Sequence, residues 1–161
     1  MAEQVNLKYG DGRYRPIILK IEHHEPVDVF QYFRAAVLCL VSSLHDGMNL
    51  VAKEYLSARD DEEGVLILSM FAGASRELTE ALIVNPYDIE QCAEALHVAL
   101  SMPKSEQRER MHAMRSYVSE FNIFRWAGRM LLDAAAVRRK NRFALKLSSL
   151  GANVALLKEP S

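Results

Sequence analysis

VLCLVSSLHDGMNLVAKEYLSARDDEEGVLILS, residues 37–69, decides the fold. It opens on a continuous apolar run, Val37 to Val41, and closes on a second, VLILS at 65–69. Runs this short and unbroken suit strands covered on both faces, as in a parallel sheet. Between them, MNLVAKEYLSA at 48–58 contains good helix formers and neither glycine nor proline, so it predicts a helix. SSLHDG before it is a polar loop, and RDDEEG at 59–64 an acidic surface turn. Strand, helix, strand in this order is a βαβ unit with a right-handed crossover.

The same alternation extends outward. Upstream, PIILKI at 16–21 is apolar and β-branched and predicts a strand. VDVFQYFRAA at 27–36 predicts a helix, with Val27, Phe30 and Phe33 on one face and Tyr32 beside them. Downstream, MFAGAS is a tight loop of small residues, SRELTEAL at 75–82 predicts a short helix, and Ile83–Val84 a very short strand. The cleanest helix is 89–101, where Ile89, Cys92, Ala93, Leu96, Ala99 and Leu100 recur at helical spacing. Asp88 stands at its N-cap with Gln91 three residues on, a capping-box pattern, and Pro103 closes it. A charged helix at 104–121 carries Met111, Met114, Tyr117 and Val118 on one stripe, and 122–136 predicts another helix. The expected fold is α/β: part of a Rossmann-like domain, a parallel sheet with helices on both faces.

Composition narrows the function. The chain has 161 residues, half of them hydrophobic and a quarter charged, with a formal net charge of -1. That suffices for one domain with one core. The near-neutral total gives no reason to expect a nucleic-acid or anionic-membrane partner. No apolar run approaches a membrane span. The start, MAEQVNLKYGDG, has neither the basic nor the apolar region of a secretory signal, so a cytoplasmic protein is expected. Cys39 and Cys92 sit in apolar segments without a CxxC partner and read as reduced, buried thiols.

In a parallel α/β sheet, ligands bind beyond the carboxyl ends of the strands. The loops to read are therefore 22–26, 42–48 and 70–74. In the second, Gly47 lets a ligand approach the backbone closely. The following helix start offers free N–H groups at about Met48 to Val51, and with the positive end of the helix dipole these suit a phosphate or diphosphate. Glu54 lies four residues after Leu50 on the same helix face and can accept from a ribose diol. Asp46, just before the helix, can accept from sugar hydroxyls. Carboxylate, phosphate-binding turn and second carboxylate fit a nucleotide sugar; an ordinary turn, cap and solvated glutamate fit the same letters.

Other candidates read more plainly. Glu22-His23-His24-Glu25 has no third ligand at a recognisable spacing, so it reads as a solvated loop and no metal is expected. His45 beside Asp46 reads as surface loop rather than an acid–base pair. Arg138-Arg139-Lys140-Asn141-Arg142 reads as a solvated helix end. Trp126 with Phe121, Phe124 and Met130 reads as a core-packing stripe; left exposed, it would drive self-association.

HDGMNLVAKEY at 45–55 closely resembles the donor-binding motif of the trehalose-6-phosphate synthases, the retaining glycosyltransferases of family 20. The resemblance continues through GVLILSMFAGASRELTEALIVNPYDIEQCAEALHVALSMP at 64–103. VNLKYGDGRYRPI upstream and ERMHAMRSYVSEFNIFRWAGRML downstream extend it to about residues 4–135. It implies the GT-B arrangement, in which two Rossmann-like domains face across a cleft. The carboxyl-terminal domain binds UDP-glucose, and the amino-terminal domain binds most of the acceptor, glucose 6-phosphate. By resemblance, Asp46 meets the donor glucose hydroxyls. Gly47, Met48 and Asn49 line the glucose pocket, Leu50 and Val51 offer amides to the diphosphate, and Glu54 binds the ribose. The family needs no metal or other cofactor.

Residues 1–136 are then expected to be part of a nucleotide-sugar-binding domain with its closing helices, and 137–161 a tail without an assigned role. The acceptor domain and the family's Arg and Lys pair for the donor phosphates fall outside this sequence. His45 stands where Arg is common, Met70 where a polar residue is common, and IEHHEP at 21–26 departs from the usual pattern near the base. The expected activity is glucosyl transfer from UDP-glucose to glucose 6-phosphate, with the isolated chain inactive. The alternatives are a glucosylglycerol-phosphate synthase type using glycerol 3-phosphate, or a non-catalytic truncated or split-enzyme module. A half sheet with an open edge is expected to dimerise, to be covered by FALKLSSLGANVALL at 143–157, or to be poorly stable, and the expected protein partners are a second copy in a homo-oligomer or a chain carrying the amino-terminal half.

Overall fold

The central strand explains the rest of the architecture. In a computed structural model, which describes residues 1–156 except Gly12 and the side chains as far as Arg142, Val65–Ser69 is buried along its whole length. It is β2, the middle of a three-stranded parallel sheet ordered β1-β2-β3, with β1 at Leu38–Val41 and β3 at Leu82–Val84. Leu40 pairs with Ile67, and Leu68 with Ile83. Alternation along β2 sends Leu66 and Leu68 into one core and Val65 and Ile67 into another.

The helices cover both faces. On one face, α3 (Leu50–Ala58) contributes Ala52, Tyr55 and Leu56, and α5 (Lys104–Glu120) contributes Met111 and Met114. On the other, α4 (Ile89–Ser101) contributes Ala95 and Ala99. Before β1 come α1 (Ala2–Tyr9) and α2 (Pro26–Ala35), and α6 (Ile123–Leu156) follows α5. The α/β class expected from the sequence is thus present, with a parallel sheet flanked by helices.

Buried polar side chains tie the layers at their ends. Arg59, 5% exposed, donates through Nη1 to the carbonyls of Phe33, Arg34 and Ala36, and through Nε to Asp61. It satisfies carbonyls at the end of α2, which the helix itself leaves open. Gln107, also buried, accepts from the Gly64 amide and donates to the Met102 carbonyl, clamping the start of β2 to the α4–α5 junction. Gly64 has φ +97°, and a Cβ there would meet the Tyr55 hydroxyl at 2.4 Å.

Several expectations are corrected. Residues 16–21 form no strand, and Ile18, Leu19 and Ile21 are exposed. Pro16 has no N–H, and the Asn6 side chain takes both Ile17 N–H and Ile17 carbonyl, so no neighbouring strand is engaged there. The helix expected at 75–82 is only a 3₁₀ turn at Gly73–Arg76, because Leu78 enters the core and Leu82 pairs with Ile67. Only Phe33 of the α2 stripe packs against the core; Val27 and Phe30 are exposed. Gln91 does not close the capping box: the Asp88 carboxylate accepts the Gln91 amide, but the Gln91 side chain accepts from Asn85 N.

The closing helix differs most. Phe124, Trp126 and Met130 are exposed rather than core, since α6 leads away from α5 at Asn122. Phe121 stacks on Tyr117 at 4.4 Å instead, with the Arg125 guanidinium over its ring. The helix also runs past position 136, and the side chains of 143–157 lie outside the described residues. The cysteines are half-buried and unpaired rather than fully buried. Among the described residues, no helix is long and apolar enough to cross a membrane.

Candidate functional site

The loops after β1 and β2 meet at the carboxyl ends of their strands, where a ligand site is expected. The Asp46 amide donates to the Phe71 carbonyl at 3.3 Å, and the Gly73 amide returns to the Asp46 carbonyl at 2.9 Å. The Ala74 amide donates to the Met48 carbonyl at 2.9 Å. Gly73 makes this approach geometrically feasible, because a Cβ there would lie 2.1 Å from the Gly47 carbonyl oxygen. A Cβ on Gly47 would meet nothing within 4 Å, so its open face is toward solvent.

Asp46 organises the turn that follows. Its Oδ1 accepts from the Met48 amide at 3.1 Å and the Asn49 amide at 2.9 Å, and its Oδ2 from Asn49 Nδ2 at 2.9 Å. The Asn49 side-chain amide, with the Met48 and Asn49 backbone amides, holds the carboxyl below the usual carboxylate range despite some desolvation. An ionised carboxylate can accept about four hydrogen bonds, so three local donors leave Oδ2 room for one more.

Asn49 is the N-cap of α3. It is buried, sits at φ +66°, and accepts the Ala52 amide on Oδ1 at 2.9 Å. The helix therefore begins at Leu50, two residues later than the sequence suggests. Met48 and Asn49 do not offer free amides, because Asp46 has taken both. Among the described residues, the Leu50 and Val51 amides have no partner, and both residues are exposed. These are the two amides the family resemblance assigns to a diphosphate.

The candidate residues are thus partly brought together. Half-buried Asp46 and exposed Gly47 and Met48 form one turn, and Leu50 and Val51 present the open helix end behind it. Asn49 is there too, with its side chain committed to the cap. Glu54 is exposed one turn further along α3, and among the described residues it makes no ion pair. The neighbouring Lys53 reaches Glu77 at 2.6 Å instead.

Two hollows adjoin the turn. A depression of about 490 Å³ is lined by His45, Asp46, Gly47, Phe71, Gly73 and Arg76, among others. On the other side of Gly47 and Gly73, a cleft of about 450 Å³ is walled by Met48, Leu50, Phe121 and Trp126. The residues that sequence reasoning did not single out are Gly73, Phe71 and Arg76. The readable signal was the small-residue loop after β2, at the same sheet end as the Asp46 turn. Elsewhere, Glu22-His23-His24-Glu25 yields one long His23–Glu25 contact at 3.8 Å, and His24 lies edge-on to Tyr32. Among the described residues, no group of three or more His, Cys, Asp or Glu is placed to hold a metal ion.

Comparison with known proteins places this arrangement. The family model of glycosyltransferase family 20 matches residues 1–136. The chain is 45% identical over 133 residues to the trehalose-6-phosphate synthase of Klebsiella pneumoniae, covering 82% of this chain and 28% of that protein. It is 43% identical over 137 residues to the trehalose-6-phosphate synthase of Salmonella typhimurium, covering 84% of this chain and 29% of the relative. An E. coli structure bound with UDP-2-fluoro glucose superposes with a TM-score of 0.80 at 42% identity, over 82% of this chain and 30% of that one. A Burkholderia xenovorans trehalose-phosphate synthase in complex with glucose-6-phosphate gives 0.80 at 43% identity, over 82% and 29%. This chain therefore spans under a third of the length of the curated relatives it matches, and on the match to residues 1–136 it belongs to glycosyltransferase family 20.

Proposed function

We propose that residues 1–136 are the UDP-glucose-binding part of a trehalose-6-phosphate synthase. The observation that carries this is the α3 entry: Asp46 gathers the Met48 and Asn49 amides, and so leaves Leu50 and Val51 as the exposed donors at the helix end. Two such amides at a positive helix end suit a diphosphate. Asp46 takes a glucose hydroxyl on its remaining lone pair, and Gly47 and Met48 line the sugar through the backbone. The Asn49 backbone completes that turn, while Glu54 accepts from the ribose hydroxyls. The reaction breaks the glucose C1–oxygen bond to UDP and forms a new C1–oxygen bond to the acceptor on the same face. The acceptor hydroxyl loses its proton and UDP leaves with the bonding pair.

The relatives are trehalose-6-phosphate synthases, which favours glucose 6-phosphate over glycerol 3-phosphate as acceptor. Cytoplasmic action belongs to the same reading and is supported by the unpaired Cys39 and Cys92. Residues 137–161 are a tail beyond the donor part, although α6 continues into them.

A second reading is favoured by two exposed features. β1 has no strand on its outer side among the described residues, and Leu40 there is exposed. Ile123, Phe124, Trp126 and Leu132 of α6 are exposed as well. These surfaces support a module that works with another chain, either one carrying the amino-terminal half or a second copy. Calorimetric titration of the purified chain with UDP-glucose and UDP tests the donor reading. Saturable binding weakened by both Asp46→Ala and Glu54→Ala is expected. A folded chain that binds neither ligand at millimolar concentration overturns it, and turnover by the single chain overturns its predicted inactivity.

A further inference from the structure

The formal net charge of -1 conceals a division along the chain. Arg138, Arg139, Lys140, Arg142, Lys146 and Lys158 are basic, and Glu159 is the one acidic residue after Asp133, so 134–161 carries +5 and 1–133 carries -6. The run from Arg138 to Arg142 is not the helix end it reads as, because α6 continues to Leu156. Every residue from Gly128 to Arg142 is exposed, so this stretch of helix rests on no other part of the described fold. Among the described residues, none of the four cations in the run is in an ion pair, and Arg138 reaches only the Ala134 carbonyl of its own helix, at 3.3 Å.

The helical period sorts the residues that follow. Positions 143, 147, 150 and 154 share one face and hold Phe, Leu, Leu and Val. Positions 139, 142, 146 and 153 share the face beside it and hold Arg, Arg, Lys and Asn. A basic face next to an apolar one is the pattern of a helix that lies along an anionic bilayer. We propose that α6 past position 136 docks on an anionic phospholipid surface, with the Phe143, Leu147, Leu150 and Val154 face at the acyl boundary and Arg139, Arg142 and Lys146 at the lipid phosphates. Its charges keep it in the plane of the surface rather than across the bilayer. Pairing of two copies of this helix is disfavoured, because no acidic residue lies between Ala134 and Lys158 to meet the other copy's cations. Nucleic acid would use the cations but leave the apolar face idle. The negative body does not cancel the attraction. The helix from 137 to 156 is about 30 Å long and leads away from the sheet, while exposed charges are screened beyond about 8 Å at physiological ionic strength. The proposal is independent of the donor reading.

The test is co-sedimentation of the full chain with vesicles of equal parts phosphatidylcholine and phosphatidylglycerol, and with vesicles of phosphatidylcholine alone. It is repeated on Arg139→Gln/Arg142→Gln and on Leu150→Ser, with urea unfolding to check that the sheet domain is unchanged. Binding to the mixed vesicles only is expected. Each basic residue at the surface is worth about fivefold, so the double variant should bind on the order of thirtyfold more weakly. Leu150→Ser should weaken binding about tenfold. Equal binding to both vesicles overturns the proposal, and so does a Leu150→Ser chain that binds as the original does, since that leaves charge attraction alone. Duplex DNA that binds the chain more tightly than the mixed vesicles, with no effect of Leu150→Ser, overturns it in favour of nucleic acid. A chain that ignores both vesicles and sediments as a dimer dissociated by Leu150→Ser overturns it in favour of a second copy.

Discussion

Replacing Gly73 with alanine puts a Cβ 2.1 Å from the Gly47 carbonyl oxygen and 2.9 Å from its carbonyl carbon. Both are backbone atoms, so no rotamer change relieves the clash. The two loops must move apart. That weakens the bonds from Gly73 to Asp46 and from Ala74 to Met48, each 2.9 Å, and from Asp46 to Phe71, 3.3 Å. At about 1 kcal/mol net per hydrogen bond, losing the three costs on the order of 2–4 kcal/mol. Gly47→Ala is the control, since a Cβ there meets nothing within 4 Å and its stability cost should stay under about 0.5 kcal/mol. Urea unfolding of the two variants and the unaltered chain measures both effects. An Gly73→Ala chain within about 0.5 kcal/mol of the original would refute the claim that this contact holds the two loops together.

Four further outcomes follow from the same structure. Asn49→Ala removes the N-cap acceptor of Ala52 and the Asp46 Oδ2 partner, and should cost about 1–2 kcal/mol in urea unfolding; Asn49→Gly should cost less, because glycine tolerates φ +66°. Leu66→Ala or Leu68→Ala in the buried central strand should cost about 2–5 kcal/mol by the same measurement, and a loss below 1 kcal/mol would contradict their core placement. The Asp46 carboxyl is lowered in the folded chain, so its contribution is present above the unfolded value of about 3.9 and is lost as pH falls through the lower folded value. Asp46 should therefore impose no change on the turn between about pH 5 and 8 in an amide NMR titration, with loosening only in strong acid. Burial pushes the Cys39 thiol up to about 11, so native-state alkylation at neutral pH should be slow and should speed up sharply in urea.

The legible part of the fold was the part whose sequence carries its own burial. VLILS at 65–69 reads as a strand covered on both faces, and it is the strand with cores on both sides. The helix at 89–101 has the expected bounds and the Asp88 cap, with Cys92, Leu96 and Ala99 of its stripe on the core, although Ile89, Ala93 and Leu100 are exposed and Ala95 is buried in their stead. Segments that depend on a neighbour were misread. PIILKI has strand composition, but a strand also needs a hydrogen-bonding partner, and the Asn6 side chain occupies Ile17 instead. SRELTEAL has helix composition, but the pairing of Leu82 with Ile67 claims its end. The Trp126 stripe has core composition, but burial depends on a surface to pack against, and α6 leads away from the sheet.

The site divided along the same line. Asp46, Gly47 and the open helix end could be read from one contiguous string, because a turn and the helix it starts are local. That Asp46 consumes the Met48 and Asn49 amides was not legible, since a carboxylate two residues before a helix can face inward or outward. The second loop, 70–74, was placed at the same sheet end, but its particular contacts were not legible. Gly73 and Arg76 join the site only through pairing across strands, and their spacing from Asp46 in sequence carries no trace of it.

The most direct test of the account is to follow the backbone amides of the folded, isotope-labelled chain by NMR while UDP is added. The Leu50 and Val51 amides should shift saturably with added UDP, while those of Met48 and Asn49, already bonded to Asp46, should move little. Saturable UDP binding that leaves Leu50 and Val51 unmoved would contradict the assignment of the diphosphate to the start of α3.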